Sequence, residues 1–233
     1  MTKTDFLSVS LSKKEQFYGM GYLIFQILFL PKILQFAARM LPIQLTNTHV
    51  NLIYFSINLL AAVLILHRYM LAFFPISGKK LLDILSVAAA GFILYWILST
   101  VVSYLVYYIQ PNFTNQNDQA VTTMAESNYP LMFIGAVIFV PITEECFFRG
   151  LLFRGIYDRS PLWAWVLSVS LFAVGHVAGY IGMYTLPDLL VSLLIYIPAG
   201  IILNVTYRRS GNIISPIIAH AVINLMAALS ATR

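Results

Sequence analysis

With 233 residues, 60% of them hydrophobic and only 10% charged, the chain is too apolar for a water-soluble domain, in which roughly 25% of residues are charged. A lipid bilayer must therefore solvate most of its apolar surface. The net charge of +5 comes from short basic clusters between apolar runs, which indicates membrane orientation and argues against nucleic-acid binding. The single cysteine, Cys146, excludes an internal disulfide framework.

Seven apolar segments are long enough, or nearly so, to cross a bilayer, which takes about 20 helical residues. They are residues 17–42, 50–66, 84–109, 128–153, 162–182, 188–207 and 213–231. In the first segment, Lys32, Gln35 and Arg39 can form one polar stripe, so this segment is expected to end in an interfacial amphipathic turn. The polar stretch 110–129 is predicted to be the only long loop. The expected fold class is all-α, a polytopic transmembrane helix bundle of about seven spans, within a range of six to eight.

The lysines and arginines alternate along the chain in a way that predicts its orientation. The basic connections are the amino terminus with Lys3, Lys13 and Lys14, and the later loops with Arg68, Lys79 and Lys80, with Arg154 and Arg159, and with Arg208 and Arg209. The intervening loops contain no lysine or arginine. By the positive-inside rule, the amino terminus is expected to be cytoplasmic and the carboxyl terminus outside, in a multi-pass protein of the cell membrane.

The stretch "PITEECFFRG" places charges at the end of an apolar span, where each costs several kcal/mol unless it is paired or faces water. Glu145 and Arg149 are four residues apart and can form an ion pair, whereas Glu144 points about 100° away around the helix. Pro141, just upstream, is expected to kink this helix and to open backbone groups.

Two later spans also carry polar groups at helical spacing. "LFAVGH" puts Phe172 one turn before His176, and "HAVIN" puts His220 one turn before Asn224. If the tryptophans of "LWAW" mark the inner interface, these side chains and Glu144 lie at a common depth. One carboxylate, two imidazoles and an amide can supply a base for water, a partner that orients the water and donors for an oxyanion.

The stretches "EECFFRG", "FAVGH" and "HAVIN", in this order, resemble the motifs EExxxR, FxxxH and HxxxN of the CPBP family. That name stands for CAAX proteases and bacteriocin-processing enzymes, which are multi-pass intramembrane proteases. The resemblance covers about residues 125–230. It divides the chain into amino-terminal membrane helices, residues 1–124 with about three spans, and catalytic membrane helices, residues 125–233, which carry the catalytic set on the last four spans.

The resemblance implies a role for each motif position. Glu144 would be the general base that activates water, and His176 would hold that water. His220 and Asn224 would stabilise the tetrahedral oxyanion. The implied activity is metal-independent hydrolysis of a peptide bond, without a cofactor, in a membrane-associated peptide or protein, with the leader of a bacteriocin or signalling peptide as the expected substrate.

Three supporting positions are also implied, and alternative mechanisms stay open. Glu145 and Arg149 would brace the site, and Phe172 would stand beside His176. Zinc is the alternative cofactor, since two histidines and a glutamate can bind it, although the sequence lacks HExxH. A thiol mechanism through Cys146 is disfavoured, because Cys146 lies about 200° around the helix from Glu144.

Two alternative functions come from other classes of protein. Members of the CPBP family also include bacteriocin-immunity factors and membrane scaffolds, so the chain is alternatively a non-catalytic protein that regulates a partner membrane protein. A small transporter with a polar pathway is the third interpretation. Against it, the two halves show no internal repeat, and the ionisable set is confined to one half.

Overall fold

The computed structural model describes residues 8–43, 45–74 and 76–231, so Lys3 of the basic amino-terminal cluster and both chain termini lie outside the described residues. Its α-helices are α1 (Lys13–Leu28), α2 (Leu30–Met40), α3 (Asn47–Leu71), α4 (Gly78–Ile109), α5 (Gln116–Met132), α6 (Val140–Glu144), α7 (Gly155–Tyr157), α8 (Pro161–Val177), α9 (Leu186–Ser210) and α10 (Ile214–Ala231). Two π-helical segments, π1 (Phe133–Phe139) and π2 (Glu145–Arg154), join α5, α6 and α7 into one stretch of 42 residues. A 3-10 turn, Ala178–Tyr180, follows α8.

Six of the seven predicted spans each correspond to one helical stretch, and the first corresponds to the bent pair α1 and α2. Within the described residues, five stretches are long and apolar enough to cross a bilayer, namely α3, α4, the stretch from α5 to α7, α8 with its 3-10 turn, and α9. The pair α1 and α2 makes a sixth if its bend of 53° is counted within one span, and α10 is a shorter apolar helix. The predicted polytopic all-α bundle is confirmed. The first and last segments are the ones whose helices do not qualify as single full-length spans.

Six helices begin at a polar residue that caps their first turn. In each case the side-chain oxygen accepts a backbone N–H that no carbonyl of the helix can satisfy. These caps are Ser12, Thr46, Ser77, Asn115, Ser160 and Thr185. At its other end, α9 stops at Gly211, whose φ of 63° is a left-handed conformation that favours glycine. Local sequence thus determines where most of the spans start.

The polar stretch 110–129 is not the long loop that the sequence predicted, because most of it is helical. Asn115 caps α5 by accepting two backbone N–H groups of the first turn, at 2.9 and 3.3 Å. The helix packs on α3, π1 and α10. Its backbone breaks at Asn128, where φ is −161° and ψ is 90°. Pro130 follows two residues later and lacks the N–H of a continuous helix, so the polar helix and the apolar span meet at this break.

The stretch from α5 to α7 lies at the centre of the bundle. Of its most apolar window, 56% is buried inside the protein, against 17% for α3 and for α4. Every residue of π2 is buried, and α1, α3, α8 and α9 pack around that segment. The charged residues of π2 are therefore shielded from lipid by protein, as charged groups in a membrane require.

Close helix contacts hold α9 against two neighbours. A Cβ atom at Gly91 of α4 would lie 2.3 Å from Thr206 Oγ1, and one at Gly200 of α9 would lie 3.0 Å from Val169 Cγ1 of α8. Glycine lets helix backbones approach in a membrane, where van der Waals packing provides much of the association. The two glycines therefore fix α8, α9 and α4 side by side.

Basic connections meet the amino-terminal segment at one end of the bundle. Arg154 Nε donates a hydrogen bond of 2.9 Å to the carbonyl of Val9. The guanidinium of Arg208, at the end of α9, lies 5.9 Å from the ring of Tyr157 in α7. The fold thus gathers sequence-distant basic regions at one end.

Candidate active site

The fully buried Glu145 and Arg149 form an ion pair on π2. Arg149 Nη1 lies 3.0 Å from Glu145 Oε1, and Nη2 lies 3.5 and 3.4 Å from the carbonyl oxygens of Ala199 and Gly200 on α9. The same carboxylate oxygen is 2.7 Å from Nδ1 of His220 on α10. This pair therefore links the central helix to two of its neighbours.

The sequence predicted a kink at Pro141. In the structure, this proline lies in the short helix α6, between the π-helical segments π1 and π2. In π1, the N–H of Val140 reaches the carbonyl of Gly135, five residues back. The next bond in this pattern would run from residue 141 to Ala136, but proline has no N–H. Asn224 Nδ2 supplies the missing donor at 2.8 Å from the Ala136 carbonyl oxygen. One of the two amide hydrogens of Asn224 is therefore committed to the backbone of π1, and the other is available.

The hydrogen bonds of the two site histidines fix which nitrogen faces Glu144. His176 Nδ1 lies 2.8 Å from the carbonyl oxygen of Phe172, which only accepts, so this nitrogen carries a proton. His220 Nδ1 is hydrogen-bonded to the Glu145 carboxylate, which also accepts, so His220 Nδ1 is likewise the donor. Both Nε2 atoms then face one oxygen, Glu144 Oε2, at 3.8 Å from His176 and 3.9 Å from His220.

Aromatic rings hold the His176 imidazole in place. The Tyr196 ring stacks on it with centroids 4.3 Å apart, and the Phe172 ring is 4.6 Å away. Phe172 also lies 4.4 Å below the guanidinium carbon of Arg149 and 5.9 Å from the His220 ring. Phe172 thus lies beside His176, as its position one turn before it predicted, and it also lies near Arg149 and His220.

The two adjacent glutamates have different surroundings. The Glu145 side chain is fully buried, whereas 24% of the Glu144 side chain is exposed. Glu144 Oε2 has no hydrogen-bonding partner among the described residues. It borders a small cavity of about 50 Å³. Since a water molecule needs about 10–15 Å³, the cavity has room for more than one.

The cavity wall combines residues from both halves of the chain. It is lined by Gln26, Ile27, Tyr54, Phe55, Asn58, Val140, Thr143, Glu144, Phe148, Gly175 and His176. Gln26, Tyr54 and Asn58 belong to α1 and α3, and the sequence analysis missed them. Gln26 in "LIFQILFL" and Asn58 in "FSINLL" interrupt apolar runs, and this signal could have found them. Of the predicted residues, Glu144 and His176 line the cavity, and His220, Glu145, Arg149 and Phe172 are linked to them by contacts. Asn224 contacts the Ala136 carbonyl of π1 and does not line the cavity.

Two alternatives can be compared with the geometry. The Cys146 side chain is completely buried in the core and does not border the cavity. Among residues 8–43, 45–74 and 76–231, no group of three or more His, Cys, Asp or Glu side chains is arranged to hold a metal ion.

The fold and the site define a class: a polytopic helical membrane protein with a carboxylate and two imidazoles facing each other inside the bundle. Residues 126–226 match a family model described as Type II CAAX prenyl endopeptidase Rce1-like. This part of the chain is therefore similar to the family whose three motifs it carries.

The chain is also similar to a bacterial membrane protein. The YdiL protein of Bacillus subtilis (strain 168), which is named provisionally as a membrane peptidase, is 28% identical over 139 residues. The alignment covers 59% of this chain and 52% of that protein, so the chain matches about half of the relative's length. No solved structure matches the chain significantly.

Proposed function

We propose that the protein is an intramembrane endopeptidase that hydrolyses a peptide bond with water activated by Glu144. One observation carries the proposal. Glu145 is bound through Oε1 to both Arg149 and His220, whereas Glu144 makes no hydrogen bond within the described residues and its Oε2 faces two imidazoles. The matching family model and the Bacillus relative are both described as peptidases, which supports the same reaction class.

The protonation pattern suits the activation of water. In its neutral form, His176 presents an unprotonated Nε2 toward Glu144, and an ionised carboxylate only accepts hydrogen bonds. One water molecule has two hydrogens and can donate one to each group. Transfer of one proton to Glu144 then leaves a hydroxide-like oxygen, which attacks the scissile carbonyl carbon.

The remaining polar groups suit the tetrahedral intermediate. When it carries a proton on both nitrogens, His220 can donate from Nε2 to the oxyanion, and the second N–H of Asn224 is the other donor. When the C–N bond breaks, the leaving nitrogen takes the proton from Glu144. The products are a carboxylic acid and an amine, and Glu144 regains its charge.

The proposal extends to the substrate and to metal independence. The expected substrate is a membrane-associated peptide or protein, with the leader of a bacteriocin or signalling peptide as the favoured class. Metal independence is part of the proposal because Glu144 and His176 can together bind the attacking water and take its proton, so the reaction as written needs no metal.

The first test replaces Glu144 with glutamine. Glu144→Gln keeps size and hydrogen bonding but cannot take a proton, so cleavage of a library of quenched fluorescent ten-residue apolar peptides in detergent should fall by at least ~100-fold. Thermal melting should be unchanged. The matched control is Glu126→Gln, an exposed glutamate of the same helical stretch, which should stay active. Full activity of Glu144→Gln, or loss of folding as its only effect, would contradict the proposal.

The same assay tests the cofactor. After dialysis against a chelator, the purified protein should keep its cleavage rate and contain less than one metal ion per chain by elemental analysis. Activity that is lost with bound zinc and returns when zinc is added would assign His176 and His220 as metal ligands.

A further inference from the structure

The wall of the cavity that faces Glu144 comes from the amino-terminal helices and carries amide groups. Gln26 of α1 and Asn58 of α3 are 5% and 4% exposed, although each stands in a run of apolar residues. Burial of an amide away from water costs free energy unless the group is hydrogen-bonded. Each of these side chains therefore needs a hydrogen-bonding partner, which the protein, water in the cavity or a ligand can supply.

The side-chain amide of Asn58 is hydrogen-bonded within the described part of the protein, whereas that of Gln26 is not. Asn58 Oδ1 accepts a hydrogen bond of 2.7 Å from the hydroxyl of Tyr22. The hydroxyl of Tyr54 points at the backbone carbonyl of Gln26, at 3.4 Å, and this bond ties α3 to α1. The side-chain amide of Gln26 has no hydrogen-bonding partner in residues 8–43, 45–74 and 76–231, although it borders the cavity.

A peptide substrate needs the kind of group that Gln26 offers. A chain extended across a site within a membrane exposes peptide N–H and C=O groups, and each is costly if it stays unpaired. A primary amide has a donor and an acceptor side by side, which matches one peptide unit. Glu144 and His176 line the same cavity, so a peptide unit held by Gln26 would lie next to the reacting bond.

We propose that Gln26 is a substrate-binding residue that pairs with the backbone of a peptide unit adjacent to the scissile bond. Tyr54 and the pair of Tyr22 and Asn58 hold the wall that presents it. The inference rests on the proposed peptidase function. It also gives the amino-terminal half, which carries no family motif, a direct part in binding the substrate.

The test measures binding without cleavage, so that it is independent of the hydrolytic step. The probe is the fluorescein-labelled apolar peptide, from the ten-residue library above, that the Glu144→Gln protein binds most tightly by fluorescence anisotropy in detergent. Adding Gln26→Met keeps the volume and removes both polar atoms, so affinity should fall about tenfold, the value of one or two hydrogen bonds. The matched control is Gln35→Met, an exposed glutamine on α2, which should leave affinity unchanged.

Three further readouts separate substrate binding from a structural role. Because the fold does not use the Gln26 amide, Gln26→Met should leave thermal melting unchanged or raise it. In the otherwise wild-type protein, Gln26→Met should raise KM more than it lowers kcat. In a third readout, the backbone amides of the probe are methylated one at a time. Methylation at one position should weaken binding to the Glu144→Gln protein. The same methylation should not change binding to the protein that carries both Glu144→Gln and Gln26→Met.

Three results would contradict the proposed role of Gln26. Unchanged affinity with Gln26→Met, or equal sensitivity to methylation in both proteins, would overturn it. A clear loss of thermal stability would assign Gln26 to the fold and would overturn it as well. Failure of the peptidase proposal shows separately, as cleavage that does not depend on Glu144.

Discussion

At the scale of single residues, the neighbours Glu144 and Glu145 have different surroundings. Glu145 Oε1 has two partners, Arg149 Nη1 at 3.0 Å and His220 Nδ1 at 2.7 Å, and its side chain is fully buried. Glu144 has neither partner and borders the cavity. A buried charge is tolerated when it is paired, whereas an unpaired carboxylate beside water can take part in proton transfer.

The residue-scale prediction concerns Glu145→Gln. This change removes the anion that compensates Arg149, and breaking a buried ion pair costs ~3–5 kcal/mol. The folded yield and the melting temperature should therefore fall, and any loss of activity should accompany them. Melting in detergent, followed by circular dichroism beside Glu144→Gln and the exposed control Glu126→Gln, checks this result. Normal stability of Glu145→Gln would show that the ion pair contributes little to the fold.

At the scale of elements, the central helix departs from α-helical geometry next to the site. Pro141 lies between π1 and π2, and Asn224 of α10 donates to the Ala136 carbonyl that the proline does not serve. Segments of π-helix often occur at functional sites because they redirect side chains. Here the hydrogen bond from Asn224 to Ala136 also links α10, which carries His220, to the helical stretch that carries Glu144.

The element-scale prediction is a double-mutant cycle between Pro141→Ala and Asn224→Ala. Asn224→Ala alone leaves the Ala136 carbonyl without its donor and should destabilise the protein by ~1–3 kcal/mol. Pro141→Ala restores a backbone N–H that can serve this carbonyl, so Asn224→Ala should cost less in that background. Unfolding free energies of the four proteins in detergent and denaturant measure the coupling. Additive effects would mean that the proline and the amide act independently.

At the scale of the whole molecule, the amino-terminal helices are part of the site. The boundary predicted between residues 124 and 125 falls inside α5, and α1 and α3 form a wall of the cavity beside Glu144. Basic regions far apart in sequence meet at one end of the bundle, where Arg154 binds the amino-terminal segment at Val9. The positive-inside rule predicts that this end is cytoplasmic.

The whole-molecule prediction is therefore one of orientation. In intact cells, a membrane-impermeant maleimide should label Asn112→Cys, which lies in the connection after α4. It should not label Ser10→Cys in the amino-terminal segment until the cells are permeabilised. Both positions are exposed, and the native Cys146 is fully buried, so the unmodified protein is the background control. The reverse labelling pattern would invert the topology.

The sequence by itself determined the fold class, the approximate spans and the candidate residues of the site. Apolar runs specify membrane helices because backbone groups in lipid must be satisfied within the helix, and polar caps specify where most helices start. The motif residues Glu144, His176 and His220 stand out because ionisable groups are costly in apolar spans. Local rules failed at 110–129, where a polar composition predicted a loop and packing against α3 and α10 stabilised a helix.

Only the tertiary structure decided which polar groups meet. That both imidazoles face Glu144 Oε2 depends on the packing of α8 and α10 around the central helix, and so does the hydrogen bond between His220 and Glu145. The part of Gln26 in the cavity depends on contacts between helices distant in sequence. Helical periodicity determines the face on which a side chain lies, but the neighbour of that face is set by helix packing, which no local pattern records.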